Sequence, residues 1–475
     1  MASKALLLSL AKTETVLGLY IFSRHGDRTP KALAPTNLTS LGAEEVYASG
    51  SYYRNRYVAS DATSPIFGLS RDTAALTQLT VTAPVDNVLQ NSAQAFLQGL
   101  YPPAGGVSTQ ELRNDTKVAA PLGGYQYIPV NAVSTASSSS NSENSPWLQG
   151  GSGCDNAVVS SNNYLSSAEY ETAFSQSEDF YKSLLPVIDS TFAADDASFK
   201  NAYAIFDYVH VATIHNQTIP AADLLTDEAL FELKVLADVH EWNLAYNGTD
   251  EIRAIAGATL AAQVVGALND TIAGHGKQPL HVQFGAYGSF SSFFGLARLP
   301  AASDDFTGVV GYAASMAFEL VTNASVGDGD GYPSADDISV RFLFSNGSAA
   351  GVPPTAYPLF GRRETVLPWS TFVSEMNEFA VGDTPGWCRA CGVTTGACAS
   401  ASTGSDSDSG NDASTTKSGN GNGISLPGAG VIGALVALAV VLGAEALIYF
   451  LSGVTLVKKS TLAAGAAATT SGAKA

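Results

Sequence analysis

The chain has 475 residues, 45% of them hydrophobic and only 14% charged, which is ample material for a sizeable core. Its formal charge of −19 excludes the basic face that a nucleic-acid binder needs, so no nucleic-acid partner is expected.

At the N-terminus, "MASKALLLSLAK" carries a lysine and a short apolar run without a clear cleavage site, which reads as a weak or truncated signal segment over residues 1–14. "TVLGLYIF" is β-branched and apolar and reads as a strand that ends at the Ser23-Arg24-His25-Gly26 turn. "LTSLGAEEVYASGSYYRNRYV" opens with a capping candidate, Thr39, and places Leu41, Val46, Tyr53 and Tyr57 at broadly helical spacing. "VDNVLQNSAQAFLQGLYPP" predicts a second helix with Val85, Val88, Leu89, Ser92, Phe96 and Leu100 on one face, stopped by Pro102 and Pro103. From about 105 to 275 the pattern is richer in helix. "SAEYETAFSQSEDFYKSLLPVI" and "TDEALFELKVLADVHEWNLAY" are both amphipathic there, and "SSSSNSENS" reads as a loop. "PLHVQFGA" returns to strand before a turn and the apolar "FSSFFGLARL", and "DISVRFLFSNGSA" is a strand that enters an Asn-Gly turn.

The four cysteines are Cys154, Cys388, Cys391 and Cys398, three of them in "WCRACGVTTGAC". A metal knuckle lacks a histidine ligand here and a redox CxxC lacks its βαβ setting, so two disulfides in an exported chain are the simpler reading, with three connectivities open. "DGDGYPSADD" resembles a calcium loop only superficially, because Ser339 stands where a bidentate Glu is needed. No metal and no cofactor are expected.

Export is supported by N-x-S/T sequons at Asn37, Asn114, Asn216, Asn247, Asn269, Asn323 and Asn346. After Cys398 the composition collapses to Ser, Gly, Asp, Asn and Thr, which predicts a flexible stalk over 399–427. The run from Gly428 to Leu451 is long enough to span a bilayer and is followed by Lys458 and Lys459, so the expectation is a transmembrane helix over 428–457. The tail 458–475 is then cytoplasmic and the topology single-pass type I, with the folded part extracellular or luminal. Gly433/Ala437 and Ala439/Gly443 offer small-residue contacts for a homodimer through that helix, and Glu445 lies within it.

One short stretch carries chemistry. In "YIFSRHGDRTP" a histidine, His25, sits between Arg24 and Arg28 directly behind a strand. Phosphoryl transfer spreads charge over three equatorial oxygens, which a planar guanidinium meets bidentately, and a neutral imidazole is a competent nucleophile. The duller reading is a loop histidine. "RHGDRTP", "NLTSLGAEEVYASGSYYRNRY", "NSAQAFLQGLYPP" and "FGAYGSFSSFFGL", in that order, resemble the histidine acid phosphatases, a branch of the histidine phosphatase superfamily that includes secreted acid phosphatases and phytases. The resemblance covers about Val16 to Cys398. It implies an α/β fold with a phosphoglycerate-mutase-like, mostly parallel central sheet, flanking helices and a largely helical insertion. The domain would then run from 15 to 398, its core over about 15–105 and 275–398 and the insertion over about 106–274.

The same resemblance implies that His25 is the nucleophile and that Arg24 and Arg28 are phosphate ligands, with a phosphate or phosphomonoester as the bound partner. It also identifies departures. Members usually carry Arg four residues before the Ser of the Ser92-Ala93 pair, where this chain has Val88. They carry a His-Asp pair after the glycine that ends the late strand, where this chain has Ala286 and Tyr287. Val88 reads most simply as a core residue, Tyr287 as a packing residue more than a phosphate donor, and Asp27 as a solvated turn residue more than a substitute acid. The expected activity is therefore weak phosphomonoester hydrolysis through a phosphohistidine at His25. The alternative is an inactive pseudophosphatase acting as a surface binding or structural glycoprotein.

Overall fold

The computed structural model describes residues 14–133, 153–216, 218–327 and 331–399. The expected stalk, transmembrane helix and tail lie outside the described residues, as do all but the last residue of the signal segment and the whole of the "SSSSNSENS" loop.

The frame is an eight-stranded sheet. Its strands are β1 (Thr15–Arg24), β2 (Leu79–Pro84), β5 (Asn131–Val133), β6 (Leu280–Gly285), β7 (Ser315–Thr322), β8 (Ile338–Ser345), β9 (Thr355–Ala356) and β10 (Val366–Pro368). A separate small hairpin is made by β3 (Thr109–Glu111) and β4 (Lys117–Ala119). The order is β10-β8-β7-β1-β6-β2-β5, with β9 on β8. The run β1-β6-β2-β5 is parallel, whereas β7, β8, β9 and β10 pair antiparallel. Because β8 runs with β1, five of the eight strands point the same way, and the sheet is mixed at one side.

Parallel strands are buried on both faces, and β1 shows it. Tyr20 and Phe22 enter one hydrophobic cluster, and Leu19 and Ile21 enter the other. A register shift between Val16 and Gly18 reverses the alternation, so that Leu17 shares the face of Tyr20. One face is covered by α1 (Ser40–Tyr53) and α2 (Asn87–Leu100), the other by α5 (Ile255–Ala273) and α6 (Tyr287–Leu296). Between α2 and α5 the chain also forms α3 (Ala202–His215) and α4 (Asp227–Ala245).

Thr39 caps α1 as expected, its side chain accepting from Gly42 N–H, and Asp86 caps α2 by accepting from Leu89 N–H. Two positions differ from the helical faces read in the sequence. Leu41 is 42% exposed and Val85 is 50% exposed, because each sits at or before a helix's first turn rather than over the core. "SAEYETAFSQSEDFYKSLLPVI" is broken into helices Ala168–Gln176, Glu178–Ser183 and Leu185–Ile188, since Ser177 adopts ψ near 0° and Pro186 cannot continue an α-helical ladder. The expected insertion, 106–274, is also not wholly separate from the core. Asn131–Val133 extends the main sheet, and α5 packs its apolar side on β1. Glu251–Ala273 has the length and apolar character of a membrane span, but it is mostly buried as a core helix.

Two disulfides resolve the open connectivity: Cys154–Cys391 and Cys388–Cys398. Of the sequon asparagines, Asn37, Asn114, Asn216, Asn323 and Asn346 are exposed, while Asn247 and Asn269 are half-buried.

Candidate active site

The site forms where β1 and β6 end side by side. Arg24, the last residue of β1, is in parallel register with Gly285, the last residue of β6. The C-terminal ends of parallel strands in α/β sheets are where ligands bind, because chain and helix termini diverge there and leave a crevice. The loop that follows β1 is held from three sides. A Cβ at Gly26 would lie 2.1 Å from the Gly42 carbonyl oxygen, and one at Gly42 would lie 2.0 Å from that of Asp27, so both positions require glycine for the loop to seat on α1. Gly26 N–H donates to Ser92 Oγ of α2 at 3.3 Å, and Ala313 N–H donates to the His25 carbonyl at 2.8 Å.

His25 is 1% exposed. Its Nδ1 lies 2.7 Å from the Gly26 carbonyl, which can only accept, so Nδ1 carries the hydrogen and Nε2 keeps the lone pair. Burial holds the imidazole well below the usual histidine pKa, and the charges of Arg24, Arg28 and Lys31 add to the effect. The ring is therefore neutral, with the Nε2 lone pair available.

The two arginines are not equivalent. Arg28 meets Asp207 of α3 bidentately, Nη2 to Oδ1 at 2.9 Å and Nη1 to Oδ2 at 3.1 Å, and also donates to Thr29 O at 3.0 Å and Tyr203 Oη at 3.3 Å. All four of its Nη hydrogens are thereby engaged. Arg24 has no carboxylate at ion-pair distance among the described residues. It donates from Nη1 to the Val310 carbonyl and from Nη2 to Tyr203 Oη at 3.4 Å, and its guanidinium carbon lies 4.8 Å from the Tyr312 ring centroid and 5.3 Å from that of Tyr287. The Nε–H groups of both arginines are buried without an acceptor. A buried cation without a counter-charge is costly unless something supplies one. Lys31, three residues past Arg28, adds a third cation, its Nζ 5.6 Å from the Tyr203 ring centroid and 5.5 Å from that of Tyr287.

The departed positions can now be read in place. Val88 is fully buried in α2, as the apolar face predicted. Ala286 caps α6 in extended conformation, and Tyr287 begins that helix. The Tyr287 ring packs 4.7 Å from that of Tyr203, and its hydroxyl donates to Glu241 Oε2 at 2.6 Å. Glu241 also meets His240 Nδ1 at 2.8 Å. Packing and hydrogen bonding thus coexist at Tyr287, and the hydroxyl is directed to a carboxylate. Burial, then Glu241, raises its pKa well above the usual tyrosine value, so it stays protonated.

Asp27 is a correction. It is fully buried rather than solvated: its Oδ1 accepts from Thr39 Oγ1 and lies 2.6 Å from His215 Nε2. Asp27 N–H also donates to Glu45 Oε2 at 2.8 Å. The carboxylate acts as a clasp between the loop, α1 and the end of α3.

Sequence reasoning did not find Tyr203, Asp207, Lys31, Glu241 or Tyr312. Asp207 carried the clearest signal, as the lone acidic residue in the otherwise apolar helical run "AYAIFDYVHVATIH". Tyr203 shares that helix, Lys31 directly follows the RHGDRTP stretch, and Glu241 and Tyr312 reach the site from segments with no motif. Among the described residues no cluster of His, Cys, Asp and Glu has the makings of a metal site.

The fold and sequence have relatives. A phytase from Citrobacter braakii superposes with a TM-score of 0.52 at 13% identity, covering 80% of this chain and 100% of that one. A Hafnia alvei phytase in complex with myo-inositol hexakis sulphate superposes with a TM-score of 0.51 at 13% identity, covering 80% of this chain and 98% of the other. At that identity the likeness concerns the fold. No curated protein sequence matches the chain. The sequence profile of the histidine phosphatase superfamily, branch 2, matches residues 32–345, a span that begins just after the His25 loop. With that match over most of the folded part, the chain belongs to branch 2 of the histidine phosphatase superfamily.

Proposed function

We propose that this domain hydrolyses phosphomonoesters, weakly, through a phosphohistidine at His25. The observation that carries the reading is the neutral His25, with Nε2 unengaged, beside an Arg24 that has no carboxylate partner and a buried Nε–H that has no acceptor. A phosphoryl group would supply that acceptor. Nε2 attacks phosphorus, the ester oxygen departs, and Arg24 with Lys31 offsets the charge on the equatorial oxygens. Water then attacks the phosphohistidine, releasing phosphate and returning the neutral imidazole.

The weakness follows from two features. Arg28 has only its Nε–H to offer, since its other donors are taken. At the position of the family acid stands Tyr287, whose proton is already directed to Glu241. An unprotonated alkoxide is a poor leaving group, and the lost acid costs about two to four powers of ten. The occupied Arg28 also favours a second reading, in which the pocket binds anions without turnover.

The test is single-turnover reaction with p-nitrophenyl phosphate and acid-quench detection of phosphohistidine. Release of p-nitrophenol that disappears in His25→Ala supports catalysis, and Lys31→Gln should slow it about tenfold. Phosphate binding without any release would sink the enzymatic reading and leave the binding one.

We further propose that the domain is exported and glycosylated, and held to a membrane by residues 428–457. Two disulfides fit an oxidising compartment, and most sequon asparagines are accessible. A gel shift on glycosidase treatment, with protease access from outside the cell, supports this; a glycosidase-insensitive chain cleaved only from the cytosol refutes it.

A further inference from the structure

Beside His25 the protein has a second feature, a cavity of about 450 Å³ between α3, α4 and the 309–312 segment. Arg24 lines one end, and Tyr312 links it to the nucleophile, with ring centroids 5.7 Å from those of His25 and 6.0 Å from those of His210. The remaining wall is largely apolar: Phe206, Val209, Leu230, Phe231 and Val309. Phe206 stacks on His210 with their planes 10° apart, so the wall already presents flat aromatic surface.

The charges are few. The wall contains one further cation, Lys234, and it is paired with Asp238. Its one carboxylate, Asp207, is paired with Arg28. The positive charge with no carboxylate at ion-pair distance therefore lies at one end, at Arg24. That arrangement matches one phosphate and then an apolar body. It does not match a polyanion, which would place several phosphates along a largely aromatic and aliphatic wall whose one further cation, Lys234, is already paired, and the net charge of −19 would oppose its approach. The volume is within the range of small-molecule sites.

We propose that this cavity selects the alcohol part of the substrate, and that the substrate class is a monophosphate ester of a compact aromatic alcohol, in contrast to an inositol polyphosphate. The proposal rests on the phosphate-binding reading of Arg24 and His25. The phosphate sits at Arg24 and His25, and the ring lies between Phe206, Phe231 and Tyr312. Phe231 is 68% exposed, the position expected of a residue at the mouth that gains cover when a ring enters.

Calorimetric titration of the full chain with non-hydrolysable phosphonates separates the two claims. Inorganic phosphate and methylphosphonate report the anion site alone, and benzylphosphonate adds the ring. Benzylphosphonate should bind about tenfold or more tighter than methylphosphonate, because burying a phenyl ring is worth a few kcal/mol before ordering costs. Phe231→Ala, at an exposed position that leaves the core intact, should reduce that advantage about threefold or more. myo-Inositol hexakisphosphate should bind no tighter than inorganic phosphate. Equal affinity for the two phosphonates, with phosphate still bound, would overturn the aromatic selection and leave the anion site standing. Tightest binding by the hexakisphosphate would do the same. No binding of phosphate or any phosphonate would overturn both.

Discussion

Arg28 and Asp207 form a bidentate ion pair at 2.9 and 3.1 Å with side chains 0% and 2% exposed, so the second arginine of the RHGDRTP loop is neutralised by the helical insertion before any ligand arrives. Lys31 N–H donates to the same carboxylate at 2.8 Å, which ties the loop's far end to α3 as well. Breaking such a pair leaves a buried charge and costs about 3–5 kcal/mol. Asp207→Asn should therefore lower the melting temperature clearly while freeing Arg28 for an anion. Phosphate should then raise the variant's melting temperature by more than it raises that of the parent. Thermal unfolding with and without phosphate reads both effects, and an unchanged phosphate shift would show that Arg28 does not face the ligand.

The leaving group should decide the rate. With Tyr287 directed to Glu241, p-nitrophenyl phosphate should be turned over while an alkyl phosphate is slower by about two to four powers of ten beyond the difference in solution. Tyr287→Phe removes the hydroxyl and keeps the ring against Tyr203, so it should cost about 1 kcal/mol of stability and leave aryl ester turnover unchanged. Equal rates for aryl and alkyl esters would identify another acid. Ala286→His with Tyr287→Asp would set a carboxyl beside Glu241, where like-charge repulsion raises a pKa and supplies a proton donor. That variant should gain on alkyl phosphates specifically.

Protonation of His25 should not limit the proposed reaction in mild acid. Burial and the neighbouring cations depress its pKa, so the folded protein keeps Nε2 unprotonated below the ordinary value of about 6.5. The unfolded chain takes up that proton first, so stability must fall as pH drops below about 6.5. His281, buried beside the Gln278 carbonyl, behaves alike, its pKa lowered to about 4. His281→Gln should flatten the fall in melting temperature between about pH 6.5 and 4. A wild-type pH–rate profile that breaks near pH 6.5, assigned to His25 by its chemical shift, would contradict this.

The two disulfides should differ in weight. Cys154–Cys391 closes a separation of 237 residues, whereas Cys388–Cys398 closes 10. Loop-closure entropy assigns about 5 kcal/mol to the first and about 3 kcal/mol to the second. Cys154→Ser with Cys391→Ser should lower the denaturation midpoint more than Cys388→Ser with Cys398→Ser does. The reverse order would show that the denatured chain retains contacts between the insertion and the C-terminal segment.

The frame of this protein was legible in its sequence because the relevant signals are local. β1 is an uninterrupted apolar run, Thr39 is a cap followed by an apolar period, and the RHG turn sits at the strand's end. Those features position His25, Arg24 and Arg28 and leave Val88 in the core. They also mark Ala286 and Tyr287 as departures, because the positions are counted from fixed glycines and helix starts. What lies opposite the loop was decided only by tertiary structure. Asp207, Tyr203 and Glu241 come from helices about 180 to 220 residues away, and Tyr312 from a segment without regular structure. No periodicity encodes which of them meets a given arginine. Whether a carboxylate faces solvent, or Arg28 at 2.9 Å, depends on how α3 packs across the end of the sheet, and that packing exists only after long-range burial has fixed the insertion in place.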